Sequence, residues 1–159
     1  MNFVVDKAAN QIRTERTFAA SLANVWSAWT QRELLDQWWA PKPWKAQTKS
    51  MDFRPGGSWI YAMMGPDGET HWSRADFDAI VPMKSFSALD GFCDENGTIK
   101  PDFPRSQWAN TFTQTGDDTL VSTVITFATL ADLEQLLKLG FREGFTAGLA
   151  NLDALLRTQ

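Results

Sequence analysis

The sequence predicts an α+β fold in which an antiparallel sheet packs one face against a long C-terminal helix. Apolar residues recur at helical spacing in two short stretches after the first strand candidate, alternate with period two through the middle of the chain, and return to helical spacing near the C-terminus. Between the alternating stretches stand clusters of Gly, Pro, Asn and Asp, at the intervals of successive hairpins. The 159 residues are 43% hydrophobic, enough for one compact core, so the whole chain, 1–159, is expected to be one domain.

Residues 11–19 alternate Ile12, Thr14, Arg16 and Phe18 with Arg13, Glu15 and Thr17, the pattern of a first strand. Ahead of it, 1–10 is either a short extra strand or a loosely held arm. Ser21 is placed to cap a helix carrying Leu22, Val25, Trp26 and Trp29. Thr30 followed by Glu33 has the spacing of a capping box for a second helix with Leu34, Leu35, Trp38 and Trp39, which Ala40-Pro41 ends. Strands are then expected at 45–53, 58–64, 71–81, 84–92, 107–114 and 119–127. The longest connection, 94–105, holds two prolines and is the candidate lid.

Thr129 and Asp132 mark the start of a helix whose apolar stripe, from Leu133 through Phe141, Phe145 and Leu149 to Leu156, runs to about residue 157. Gly140, Gly144 and Gly148 form a bare row along it, and each costs about 1 kcal/mol against Ala in a helix interior. Two compensations are open: close packing, with a break at Gly140, or free volume left between helix and sheet.

Composition excludes several functions. With 15 Lys and Arg against 19 Asp and Glu, the net charge of −4 offers no field for a phosphate backbone, so nucleic acid is not an expected partner. One histidine, His71, and one cysteine, Cys93, cannot build a multi-His or multi-Cys zinc site or a disulfide within the chain, and no metal or cofactor is expected. Asp94 and Glu95 would raise the Cys93 pKa, which argues against a reactive thiolate. No apolar run is long enough to span a membrane and none follows a charged leader, so a cytoplasmic location is expected.

If alternate strand residues face the helix, Phe53, then Trp59, Tyr61 and Met63, then Ser73, Ala75 and Phe77, then Trp108 and Phe112 share one face. With Phe141, Phe145 and Leu149 they either fill the core or surround an apolar pocket with a few polar groups. By the same parity His71 faces inward with Ser73, as a polar anchor or proton-transfer group, unless it ends its strand in water. Asp76 and Asp78 point the other way. The helix tryptophans are expected to anchor the two short helices against the sheet rim, the alternative being an exposed aromatic surface for a protein partner or a homodimer. No nucleophile elbow, phosphate loop or dinucleotide fingerprint is present, so enzymatic activity has no motif behind it.

The order of elements, with Val25-Trp26-Ser27-Ala28-Trp29-Thr30, Leu34 to Trp39 before Ala40-Pro41, Asp52-Phe53-Arg54-Pro55-Gly56-Gly57-Ser58-Trp59, Pro66-Asp67-Gly68, Asp94-Glu95-Asn96-Gly97 and Glu143-Gly144-Phe145, resembles the START-like (SRPBCC) superfamily. Within it, the chain is most similar to homologues of the activator of heat-shock protein 90 ATPase. Ser21 and Arg32 stand where that family commonly has proline. The resemblance implies a helix-grip (START-like, Bet v-type) fold, with a curved sheet wrapped around the terminal helix. It also implies a cavity for lipids, sterols, polyketides or aromatic compounds. The expected function is binding of a small hydrophobic or aromatic molecule by a monomer or homodimer. Two alternatives stand beside it: a co-chaperone-like module that touches a chaperone, and a cyclase or hydrolase using His71. The co-chaperone reading is weakened because the residues before Asn10 are too few for the separate N-terminal domain of the eukaryotic namesake.

Overall fold

The computed structural model describes residues 1–159. Two strands, β1 (Asn2–Asp6) and β2 (Gln11–Phe18), lead into the helices α1 (Leu22–Thr30) and α2 (Arg32–Trp38). Six strands follow: β3 (Lys45–Met51), β4 (Ser58–Met64), β5 (Thr70–Val81), β6 (Ser85–Cys93), β7 (Ser106–Thr115) and β8 (Asp118–Phe127). Two helices, α3 (Leu130–Lys138) and α4 (Phe141–Leu156), close the chain. All eight strands form one antiparallel sheet in the order β1-β2-β8-β7-β6-β5-β4-β3, so the first hairpin pairs with the last strand and the rest is a meander. Residues 1–10 include a paired strand rather than a loose arm: Phe3 lies opposite Thr14 and Val5 opposite Ile12.

The sheet is curved, with one face turned toward the helices. Register shifts between Thr48 and Ser50 in β3 and between Phe77 and Ile80 in β5 insert bulges, which bend a strand and sharpen its twist. On the helix side, Ile12, Phe18, Phe77, Phe86, Phe112, Val121 and Ile125 join Val25, Trp29, Leu35, Trp38, Phe145, Leu149 and Leu152 in one contiguous apolar cluster. Burial of this size, at roughly 25 cal/mol per Å² of apolar surface, is the main force holding sheet and helices together.

One capping expectation is corrected, two are met, and the open choice in the terminal helix is decided. Thr30 does not cap α2: its hydroxyl donates back to the Trp26 carbonyl at 2.8 Å, closing the last turn of α1, and Gln31 occupies the N-cap without a side-chain hydrogen bond. Ser21 and Thr129 do cap, accepting from the backbone N–H of Asn24 at 3.2 Å and of Asp132 at 3.1 Å. The terminal segment breaks at Gly140, as the close-packing alternative allowed, because Gly140 adopts φ +89°, a left-handed conformation that ends α3 and precedes α4.

The glycine row is likewise not the roof of an empty space. A Cβ at Gly148 would lie 3.1 Å from the Trp39 carbonyl oxygen and 3.5 Å from that of Trp38, and one at Gly144 would lie 3.8 Å from Pro41. These glycines let α4 approach the C-terminal end of α2. The carbonyls there are orphans of a helix end, and Asn151 of α4 donates to Ala40 O at 3.0 Å and Trp38 O at 3.4 Å. Asn151 thereby fixes one helix against the other.

Nor is the 94–105 connection a lid over the helix side. Asp94 accepts from the backbone N–H of Asn96 and Thr98, and Lys100 N donates to Phe92 O. Arg74 Nη1 donates to Gly97 O at 2.6 Å, which ties the loop to the sheet face opposite the helices.

Candidate functional site

The helix-facing side of the sheet meets α1 and α2 around a small cavity of about 40 Å³. Its sheet wall comes from Trp59 on β4, Ala75 and Phe77 on β5, Phe86, Ala88 and Asp90 on β6, and Trp108 and Asn110 on β7. Period-two alternation places Phe86, Ala88 and Asp90 on the same face. Met51 closes the β3 side, and the helices contribute Trp29, Leu35 and Trp39. The volume is room for one or two water molecules. A larger guest needs a lining side chain to yield, and half-buried Met51 is the one whose unbranched thioether repacks readily.

Tryptophan dominates this space. Trp39 is the hub, with its ring centroid 5.4 Å from Trp59, 6.0 Å from Trp108, 6.1 Å from Trp29 and 6.2 Å from Phe145, mostly edge-on. Its indole N–H donates to the Tyr61 hydroxyl at 2.9 Å, and Tyr61 stacks on Trp59 at 4.0 Å. Trp26 meets Phe53, Phe86 and Phe112 in the same fashion. The α1 and α2 tryptophans therefore occupy the concave side of the sheet, where a rim position was expected. They use much of the volume that a wide cavity would need.

Polar groups around the space are few and specifically held. Trp59 Nε1 donates to Thr48 Oγ1 at 3.0 Å, whose own hydroxyl donates to Asp36 at 2.6 Å. Trp108 Nε1 donates to Ser106 at 3.1 Å, and Thr123 donates to Asn110 Oδ1 at 2.8 Å. Trp29 differs: it is 3% exposed, and its buried Nε1 has no hydrogen-bond partner. An orphan donor in the lining of a cavity is a place for a guest or a water.

Asp90, on the same face of β6 as Phe86 and Ala88, is a lining residue absent from the sequence-derived set, although the alternation of 84–92 carries the signal for it. Asp90 is half-buried, and no side chain donates to its carboxylate. Desolvation pushes it up to about 7, against the lowering effects of the adjacent Gly91 backbone and of Arg105. The same burial, with Asp90 nearby, pushes the Tyr61 hydroxyl well above its ordinary range. The contrast is Asp76, on the outer face of the sheet. It accepts from Arg74 and Arg105, both at 2.6 Å, and from Ser58 at 2.6 Å, and these bonds hold it down at about 2 despite partial burial. Cys93 is fully buried, and burial pushes its thiol up.

Of the residues singled out from the sequence, Trp59, Phe77 and Trp108 line the cavity. Tyr61, Phe112, Phe145 and Leu149 are buried in the surrounding core, as is Ser73, while Phe53, Met63 and Phe141 pack against it half-buried. His71 keeps the parity of Ser73 but lies at the start of β5, exposed and stacked on Trp44 at 5.5 Å, which is the strand-end alternative, and it does not line the cavity. Helix α4 backs the cavity through Phe145 and contributes no side chain to its lining. The expected position of the space, between sheet and terminal helix, thus shifts to between sheet, α1 and α2.

A curved meander closed by a first hairpin, with two short helices and a terminal helical segment on its concave side, defines a helix-grip protein. A family model described as activator of Hsp90 ATPase homolog 1-like protein matches residues 19–157, and the chain belongs to that family. The crystal structure of a Mycobacterium smegmatis protein is 33% identical, with a TM-score of 0.91 over 98% of this chain and 96% of that one. Solution structures from Arthrobacter aurescens (25% identity, TM-score 0.94, 99% of this chain and 92% of that one) and Staphylococcus epidermidis (26%, 0.86, 99% and 94%) share the architecture. No curated protein matches the chain. No helix is long and apolar enough to cross a membrane.

Proposed function

We propose that the protein binds a small, mostly apolar molecule on the concave side of its sheet, between the sheet and helices α1 and α2. The observation that carries this reading is the cavity lined by Trp29, Trp39, Trp59 and Trp108, with the Trp29 N–H left unpaired beside it. A core selected only for stability closes such a space and pairs such a donor, since a buried unsatisfied group costs about 1–3 kcal/mol. Family membership supports the reading at the level of fold. The His71 mechanism lacks support from geometry, because that side chain lies in water beside Trp44. A chaperone-facing aromatic surface is not supported by α1 and α2, whose tryptophans pack inward.

Ala88→Leu tests the proposal by placing extra methyl groups in the cavity. Intrinsic tryptophan emission should change saturably when wild-type protein is titrated with a panel of small compounds such as indole, naphthol and short-chain fatty acids. The Ala88→Leu variant should fold and lose the response. A panel that leaves the wild-type emission unchanged overturns the proposal.

A further inference from the structure

The cavity pairs a ring of indoles with one carboxyl group, and no basic side chain lines it. Across the sheet Asp90 faces Ala75 on β5 and Ser106 on β7, neither of which brings charge. Arg105, the nearest cation, lies across Gly91 on the opposite face and is committed to Asp76 and the Leu89 carbonyl. The remaining titratable groups that act on Asp90 or respond to it are Asp76 on β5, Tyr61 on β4 and Cys93 on β6, none of them positive. From α1 and α2 the lining side chains are Trp29, Leu35 and Trp39, which do not titrate, and α4 lines none of it. Half-buried among apolar rings, the Asp90 carboxylate has water on one side only and is favoured further by a positive charge brought to it.

Indole is the best side chain for holding a cation against its face, and several indoles around one space are how proteins hold alkylated ammonium groups. Resting on the ligand-binding reading above, we infer that the guest is a small organic cation, an alkylammonium whose charge is met by Asp90 and whose methyl groups are met by the tryptophans. The unpaired Trp29 N–H adds a donor for a hydroxyl or ether oxygen on the same molecule. Room for it beyond the present space of about 40 Å³ would come from repacking of the half-buried, unbranched Met51 side chain. A bound cation keeps Asp90 ionised, so binding near neutral pH releases a proton.

Choline and dimethylbutanol, its uncharged isostere in which carbon replaces the quaternary nitrogen, separate charge from shape. Isothermal titration calorimetry on the wild-type protein should find choline at least about tenfold tighter, with proton release seen as a dependence of the heat on buffer ionisation. Asp90→Asn should reduce that preference to near equality while the fold, checked by circular dichroism, is kept. If dimethylbutanol binds as tightly as choline to the wild type, the cation is wrong and the ligand-binding reading survives. If choline, dimethylbutanol and indole are all without effect on wild-type protein, both fall.

Discussion

Thr48 shows how much one buried side chain on an edge strand can fix. Its backbone N–H and its hydroxyl both donate to Asp36 Oδ1, at 2.9 and 2.6 Å, and the same hydroxyl accepts from Trp59. It thus ties β3 to α2 and sets the angle of a cavity-lining ring. Thr48→Val keeps the shape, removes the hydroxyl bond to Asp36 and leaves the Trp59 N–H orphaned. The expected cost is about 1–3 kcal/mol in urea unfolding, with a changed near-ultraviolet dichroism as Trp59 loses its anchor. At this scale the sequence was partly readable. The alternation that put Trp59 and Tyr61 inside was visible, and so was the position of Asp90 two residues after Ala88. What the sequence could not convey is whether a strand-end residue such as His71, on the parity of Met63 and Ser73, reaches the core or stays exposed against Trp44. Orphan donors were equally hidden, because whether an indole N–H finds a partner depends on distances that no spacing rule contains.

Strand positions followed from period two and turn residues to within a residue or two at most ends, because turn chemistry is local: Gly56, Gly68, Gly97 and Gly116 all take positive φ in the connections. Helix ends were less legible, since several hydrogen bonds compete there. Thr30 could cap α2 or bond back to α1, and the second choice won. The three glycines of the terminal segment look alike in sequence and do three different things, which gives three expectations for alanine replacement in denaturant unfolding. Gly140→Ala forces a left-handed residue and should destabilise by about 1–2 kcal/mol. Gly144→Ala meets only an ordinary contact with Pro41 and should stabilise by up to about 1 kcal/mol through helix propensity. Gly148→Ala pushes a methyl group against the fixed carbonyls at the end of α2, where Asn151 also anchors, and should destabilise despite the same propensity gain. Stabilisation by Gly148→Ala would mean that α2 and α4 slide apart easily.

The molecule as a whole carries two aspartates on opposite faces of one sheet with opposite pH dependence. Asp76, held near 2 by two arginines, contributes stability that is complete above the unfolded carboxylate value of about 4 and is lost as pH falls through about 2. Asp90, raised to about 7, acts in reverse. Between about 4 and 7 the unfolded chain gives up a proton that the folded protein retains, so stability declines as pH rises across that window and levels off above it. Unfolding free energies of wild type, Asp76→Asn and Asp90→Asn, measured by urea titration from pH 3 to pH 8, separate the two contributions by difference. The Asp76→Asn deficit should shrink toward acid pH. Asp90→Asn should become progressively more stable than wild type from about pH 4 upward, reaching a gain on the order of 1 kcal/mol at the alkaline end. A guest that brings positive charge to Asp90 should erase this gain, because the ionised carboxylate then has a partner in the folded state alone. A flat difference between Asp90→Asn and wild type would mean that water reaches the carboxyl freely and that the sheet's concave side holds no charge to be answered.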